Sequence, residues 1–317
     1  MTIEDSLENE KLHRSDREKY IGELLLRQRI INQEVFSFMK DTLKPDSLII
    51  DACAGPEGSF LAASITDHHW VGNDLSLEFA KVLRDTGALN VTISDFSKAP
   101  FADESAGGVL FVFALNNVCR LRPAISEAVR ILKNDGTMVV ADSGPSNWIA
   151  KIFMLSLLEE GTAGGGIRKK SAGIIQEYFA GKSYSLDEYT NYCLKHTLGL
   201  TREEMADLVS QQDTQGKRRS VFHFQNLLVR LYFENIHRVA GELGLTLIKV
   251  GIMSAGKKRG GNWEVSRPVE VKPDSEWCNT LIQTRSLRGE VITKYPPSIV
   301  RADTRMTLPI LAYKKKK

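Results

Sequence analysis

The sequence predicts an α/β fold, a mostly parallel sheet with helices on both faces. Three observations carry this expectation. Ser47-Leu-Ile-Ile50 runs into Asp51-Ala-Cys-Ala-Gly-Pro-Glu-Gly-Ser-Phe60, an apolar run, an acid, a small-residue loop and a helical stretch, which reads as strand, tight turn and helix. Two further candidate strands end in acids, at Asp74 and Asp95. Gly108-Val-Leu-Phe-Val-Phe-Ala-Leu115 is apolar throughout, as a central parallel strand covered on both faces requires.

The elements follow in order. Ser15-Asp-Arg-Glu18 is a capping-box pattern that should start a long helix. Its apolar positions Ile21, Leu24, Leu25, Ile31, Val35, Phe38 and Met39 recur at helical spacing, and Lys44-Pro45-Asp46 ends it. In the loop after the first strand, small residues at Ala52, Ala54, Gly55 and Gly58 let backbone approach a ligand. His69 to Asp74 is the second strand. Asp74 follows Gly55 by 19 residues, a spacing that suits an acid accepting ribose hydroxyls. It fits a dinucleotide as well as another nucleoside ligand, and Cys53-x-Gly55-x-x-Gly58 leaves the dinucleotide reading open. A helix from Leu77 to Arg84 leads to a third strand, Leu89 to Phe96, whose Asp95 alternatively caps a turn before Ser97-Lys98. The apolar fourth strand ends in Asn116-Asn117. Arg122 to Lys133 is an amphipathic helix, Asn134-Asp-Gly136 a turn, and Thr137 to Asp142 the fifth strand.

Beyond residue 145 the pattern changes. Residues 146–220 read as a helical insertion, with capping boxes at Ser185-Leu-Asp-Glu188 and Thr201-Arg-Glu-Glu204 and a joint at Gly164-Gly-Gly166. Phe222 to Leu243 is a long helix and Leu245 to Met253 a sixth strand. Ser254 to Trp263 opens a second insertion, residues 254–303, before a last strand from Arg305 to Tyr313. Pro309 suits an irregularity or an edge of that strand.

Composition sets the outer bounds. A chain of 317 residues, 42% hydrophobic and 26% charged, can bury a sizeable core. A net charge of +3 creates no global field demanding nucleic acid. The basic clusters at Arg168–Lys170, Lys217–Arg219, Lys257–Arg259 and Lys314–Lys317 read first as solvated faces. Cys53, Cys119, Cys193 and Cys278 are far apart with no C-x-x-C pair. No metal site is therefore expected, and the thiols suit a reducing compartment. A charged N-terminus and the lack of a membrane-length apolar run lead to the expectation of a cytoplasmic protein without a membrane partner. Oligomeric state does not follow from the sequence.

Together, Asp51 with its loop, Asp74, Asp95-Phe96 and the phrase from Glu127 to Asp142, EAVRILKNDGTMVVAD, resemble the class I, Rossmann-like S-adenosylmethionine (SAM) methyltransferases over about residues 45–145. The loop departs from that family's D/E-x-G-x-G-x-G, since Cys53 stands at the first glycine and Glu57 at the third. The resemblance implies a seven-stranded sheet whose last strand lies antiparallel beside strand six. It divides the chain into an N-terminal helical extension (1–44), a SAM-binding core (45–145 and 221–317) and a helical substrate cap (146–220). It also implies SAM as cofactor, held by Asp51, Ala52, Gly55, Gly58, Asp74, Leu75, Asp95, Phe96 and Phe113.

The acceptor is less legible. Val118-Cys119 after Asn116-Asn117 does not continue the Asn/Asp-Pro-Pro-aromatic tetrad of base-modifying relatives. Asn116 and Ser143 do not match the Lys-Asp-Lys-Glu set of RNA ribose methyltransferases. Asn116, Asn117, Tyr178 and Tyr184 are the candidate substrate contacts, with Tyr189 either beside them or in the cap's core. His223, between Phe222 and Phe224, is the candidate catalytic base, and His196 its alternative. Three functions remain. The first is methylation of a small-molecule acceptor under the cap. The second is methylation of RNA or protein through the basic loop Lys257–Trp263, whose aromatic could stack on a base. The third is a non-catalytic SAM-fold binding subunit.

Overall fold

The computed structural model describes residues 29–55, 58, 69–85, 90–117, 120–145, 186–213, 221–257, 263–273, 277 and 306–316. Strands β1 (Leu48–Ala52), β2 (His69–Asp74), β3 (Val91–Ile93), β4 (Ala106–Val112) and β5 (Leu132–Ala141) pair in parallel in the order β3-β2-β1-β4-β5. β9 (Met306–Lys315) follows β5 and separates it from β6 (Leu245–Lys257), antiparallel to both. β7 (Trp263–Val265) and β8 (Val269–Val271) pair antiparallel with β6, along Ala255–Lys257 and Val250–Ile252. The sheet has nine strands among the described residues, not the seven the resemblance implied. The two extra strands come from residues 263–271 of the second insertion, which pair with β6.

Side chains on each strand alternate between two apolar layers, as the pleat dictates. Ile49, Leu110, Val139, Ile310 and Ala312 face one layer; Ile50, Val109, Phe111, Val140, Leu311 and Tyr313 face the other. The first layer is covered by helix α1, described over residues 29–39, with Ile31, Val35 and Met39 at most 2% exposed. α1 therefore packs under the sheet, in line with the apolar spacing of its sequence. Lys249 Nζ on β6 donates to Phe38 O at 2.7 Å and reaches Asp41, tying the end of α1 to the sheet. α2 (Leu77–Asp85) adds Leu83 to the same layer.

The opposite layer is filled by α3 (Leu121–Ile131) and the long α6 (Val221–Glu242), both amphipathic. From the first insertion, α4 (Leu186–Cys193), a π turn (Leu194–Leu198) and α5 (Arg202–Asp213) are described. Tyr189, Cys193, Leu194, Leu198 and Met205 join Tyr232, Phe233 and Ile236 of α6 in one core. Tyr189 is thus a core residue of these helices. The capping box at Thr201 forms in full: Glu204 N donates to Thr201 Oγ1 at 3.2 Å and Thr201 N to Glu204 Oε2 at 2.7 Å. Ser15–Glu18, Gly164–Gly166 and Ser185 lie outside the described residues.

Two local features differ from the sequence reading. Asn134-Asp-Gly136 is not a turn ahead of β5 but an irregularity within it. Ala106 pairs with Leu132, the register then shifts to Gly108 with Thr137, and Asp135 takes a left-handed φ of 62°. Turn chemistry inside a paired strand makes a bulge. Pro309 is not at an edge of the sheet: it pairs with Ile252 of β6 and lies one residue past the last β5–β9 pair, Ala141 with Ile310. Its O accepts from Asp142 N at 3.3 Å, and its missing N–H leaves that bond unreciprocated where the β5–β9 ladder ends.

Truncating the α1 anchor tests this packing. Met39→Ala is expected to lower stability by about 2–5 kcal/mol, measured by urea unfolding.

Candidate functional site

The parallel strands deliver their acids to one edge of the sheet. β1 and β2 run in register from Leu48 with His69 to Ala52 with Asn73, and Asp74 pairs with Ile93 on β3. Just past β1, Ala54 N donates to Asn73 O at 2.9 Å. The chain then turns through two left-handed residues, Cys53 (φ 55°) and Gly55 (φ 58°). Asp74 binds this turn to its own strand exit. Gly55 N donates to Oδ2 and Ser76 N to Oδ1, both at 2.8 Å. Asp51 and Asp74 are buried, and Leu75 is half-buried.

Cys53 reports where the acids meet. Burial pushes its thiol well above the usual range, and the carboxylates of Asp74, Asp51 and Asp95, in that order, push it further. All three strand-end acids therefore act on one half-buried side chain. A Cβ on Gly58 would lie 2.8 Å from Ala54 Cβ and 3.0 Å from Asp51 Oδ2, so the loop closes over Asp51 only because glycine stands there.

Asp95 accepts from Ser97 N at 2.9 Å, capping the short 3-10 turn Phe96–Lys98. Phe96 is buried, edge-on to Phe111 with ring centroids 5.2 Å apart. Its ring serves the core. Ala52 is fully buried.

On the other side of β1, the exits of β4 and β5 interlock. Phe113 is left-handed (φ 54°), and its N–H donates to Ala141 O at 2.8 Å. A 3-10 turn, Leu115–Asn117, follows. Asn116 N donates to Asp142 Oδ2 at 2.8 Å, while the Asn116 side-chain oxygen is buried without a partner. Asp142 itself is fully buried. It also accepts from Ser143 N at 2.7 Å and from Tyr232 Oη, on α6, at 3.1 Å. Burial pushes its carboxyl up to about 7 against the lowering effect of these donors. Tyr232 is pushed above its usual range by burial and then by Asp142.

Asp142 was not among the residues singled out from the sequence. Its signal was the one that marked Asp51, Asp74 and Asp95, a carboxylate closing an apolar strand. Tyr232 gave no signal beyond a place on an amphipathic helix.

Most of the remaining candidates lie outside the description. His223 lies in the first turns of α6, but its side chain is outside the described residues, as are the side chain of Asn117 and the whole of Tyr178 and Tyr184. His196, on the π turn, packs against Tyr192 with ring centroids 4.3 Å apart. Burial, then Lys195 and Arg120, lower its pKa. Residues 258–262 of the basic loop lie outside the description. A cavity of about 460 Å³ beside α4 and α5, with Lys195, Arg202, Glu203 and Arg238 in its wall, shares no residue with the strand-end acids. Among the described residues, no group of three or more His, Cys, Asp or Glu could hold a metal, and no helix is long and apolar enough to cross a membrane.

Comparison with known proteins gives a family match over part of the chain. Residues 51–140 match the methyltransferase domain family. The chain is 34% identical over 83 residues to an uncharacterised protein of Methanocaldococcus jannaschii, spanning 26% of this chain and 33% of that one. It is 30% identical over 106 residues to a demethylmenaquinone methyltransferase of Streptomyces avermitilis, spanning 33% of this chain and 46% of that one. The chain thus spans between a third and a half of the length of the curated relatives it matches. Among solved structures, a SAM-dependent methyltransferase of Thermotoga maritima is 15% identical, with 95% of this chain and 98% of that one covered and a TM-score of 0.42. The cofactor named for that Thermotoga protein is SAM.

The residues present fit that cofactor. A carboxylate has about four lone-pair positions, so Asp74 can accept ribose hydroxyls besides Gly55 N and Ser76 N. The closely packed loop at Gly58 places backbone beside Asp51, and the acid suits a ligand amino group.

Two outcomes test this geometry. Cys53→Val should destabilise by about 1–3 kcal/mol, because a β-branched residue resists a left-handed φ, whereas Cys53→Gly should stay within about 1 kcal/mol of the parent; thermal melts separate them. For Asp142, the folded carboxyl titrates near 7 and the unfolded one near its ordinary 3.8. Between those values the native state holds the extra proton. This group's contribution to stability is therefore fully present below about pH 4 and is lost as pH rises toward 7. Asp142→Asn should remove that slope, so melting curves of parent and variant from pH 4 to 8 should differ in slope and not only in height.

Proposed function

We propose that this protein transfers the methyl group of SAM to a small-molecule acceptor. The observation that carries the reading is the Asp74 carboxylate, which ties the left-handed turn after β1 to the exit of β2 through Gly55 N and Ser76 N, inside the segment that matches the methyltransferase domain family. When bound, SAM supplies a methyl group activated by a sulfonium. The chain's residues hold and orient. Asp51 and the backbone of the Cys53–Gly55 turn would take the amino-acid end, Asp74 the ribose hydroxyls, and Asp95 the adenine amino group. Leu75 and Phe113 would flank the nucleoside. Methyl transfer is an in-line displacement, so the acceptor's lone pair must face the methyl carbon while water is kept out.

The exit of β4 lies across β1 from the three acids, and Asn116 is the residue there suited to an acceptor. Its buried, unpartnered oxygen wants a hydrogen-bond donor, such as the hydroxyl or amine of a small molecule. The similarity to demethylmenaquinone methyltransferases supports a small organic acceptor. Residues 146–220 would cover the acceptor, with His223 at the start of α6 as the nearby base.

Calorimetric titration of the protein with SAM, with NAD as control, tests the reading. Micromolar SAM binding without NAD binding is expected, and Asp74→Asn should weaken SAM binding at least tenfold, about 1.4 kcal/mol. NAD binding, or an affinity for SAM untouched by Asp74→Asn, would overturn the assignment. Methyl transfer from radiolabelled SAM to an RNA mixture, but to no member of a panel of hydroquinones and amines, would replace the small-molecule acceptor with RNA.

A further inference from the structure

The geometry points to Asp142 as a positioning residue for the reaction proposed above: steadied by Tyr232, it fixes the backbone of Asn116 and so sets where that residue's unpartnered side-chain oxygen meets a ligand. The inference rests on the methyltransferase reading for its purpose but not for its geometry.

Four donors converge on this one carboxylate from three parts of the fold. Asn116 N comes from the β4 exit, Ser143 N and the Gly144 backbone from the β5 exit, and Tyr232 Oη from α6. The surroundings allow little slack. Gly144 is left-handed (φ 103°), and a Cβ there would sit 2.7 Å from Val229 Cγ2 on α6. Phe113, three residues before Asn116, is also left-handed and held by Ala141 O. A bulky residue in that conformation persists only where its neighbours over-determine it. Asp142 and Ala141 are those neighbours. Between them they clamp the β4 exit at Phe113 and Asn116.

The choice of an ionisable group is the second part of the argument. A position that needed only packing would be served by an apolar residue, and one that needed only an acceptor by an amide. Among the described residues, the titratable group facing Asp142 is Tyr232 on α6. The β4 and β5 exits offer only backbone N–H groups, and β9 offers Pro309 O, which accepts from Asp142 N at 3.3 Å. Among the described residues, no cation compensates the charge. The ionised carboxylate can serve all four donors. Once protonated, it carries a hydrogen of its own toward a ring of donors, and one of them must let go. Asn116 N and Tyr232 Oη both bond Oδ2, while Ser143 N bonds Oδ1; a proton on Oδ2 meets a tyrosine hydroxyl that can turn to accept it and an Asn116 N–H that can only donate. Protonation of Asp142 would therefore release the β4 exit, and ionisation would lock it.

Nuclear magnetic resonance of the full chain, labelled with 15N-Asn and 13Cγ-Asp and titrated from pH 5 to 9 without ligand, tests the proposal. The Asn116 backbone amide and the Asp142 carboxyl should share one inflection near neutrality. Asp142→Asn should abolish the amide inflection. Tyr232→Phe should move it to higher pH, because the charged form loses a donor; this variant carries the test if Asp142→Asn does not fold. In parallel, calorimetry with SAM should show a smaller loss of affinity for Asp142→Asn than for Asp74→Asn. An Asn116 amide that does not titrate, or that titrates unchanged in both variants, would overturn the proposal. So would a loss of SAM affinity in Asp142→Asn as large as in Asp74→Asn, which would move Asp142 to the cofactor. Failure of the parent to bind SAM would instead overturn the methyltransferase reading, and the ligand-free titration would still decide the role of Asp142.

Discussion

The Asp74 carboxylate is the point through which the site is assembled. It receives the Gly55 N–H from the loop after β1 and the Ser76 N–H from the loop after β2. Two loops that share no strand are thus held by one side chain. A buried carboxylate in apolar surroundings is costly unless it is bonded, and here the bonds that offset that cost also set the shape of the turn. Cys53 can stand left-handed because Gly55 is anchored two residues later. Asp51 can remain buried because the same turn, closed at Gly58, folds over it. Where the strand order reverses between β1 and β4, the sheet leaves the crevice in which open α/β folds bind ligands, and the Asp74 bridge forms one wall of it.

That reversal also divides the chemistry. The exits of β1, β2 and β3 carry acids that suit the polar groups of a nucleoside and an amino acid. The exits of β4 and β5 are built on a different plan, with a left-handed Phe113, a 3-10 turn and a single carboxylate that gathers backbone donors. The first wall is rigid by construction, and the second hangs on one ionisable group.

Much of this was legible in the sequence because its causes are local. A strand that ends in an acid before a small-residue loop announces itself in a few residues, which is why Asp51, Asp74 and Asp95 could be placed. The reciprocal bonds at Thr201 and Glu204 depend on a four-residue spacing and formed accordingly. What escaped depends on partners far apart in the chain. Asp142 and Tyr232 are separated by 90 positions, and nothing near either one indicates the other. Phe96 was expected beside a ligand, yet its ring packs on Phe111, a contact decided by how β3 and β4 meet α3 rather than by its neighbours in sequence. The irregularity at Asn134–Gly136 shows the same limit, since turn residues do not reveal whether the chain reverses or bulges. The two extra strands on β6 reflect an open sheet edge, which recruits whatever segment lies nearby.

The position of β9 bears on how the protein is made. Its ten residues, Met306–Lys315, fill the slot between β5 and β6, and both of those strands are translated well before it. Until residues 306–315 emerge, the nascent chain holds two apolar strands with unsatisfied backbone edges facing the same gap. Such edges pair readily with other chains. The interval between synthesis of β6 and of β9 is thus the period in which this protein is most exposed to misassociation, and the closing strand acts as a bolt across the finished sheet.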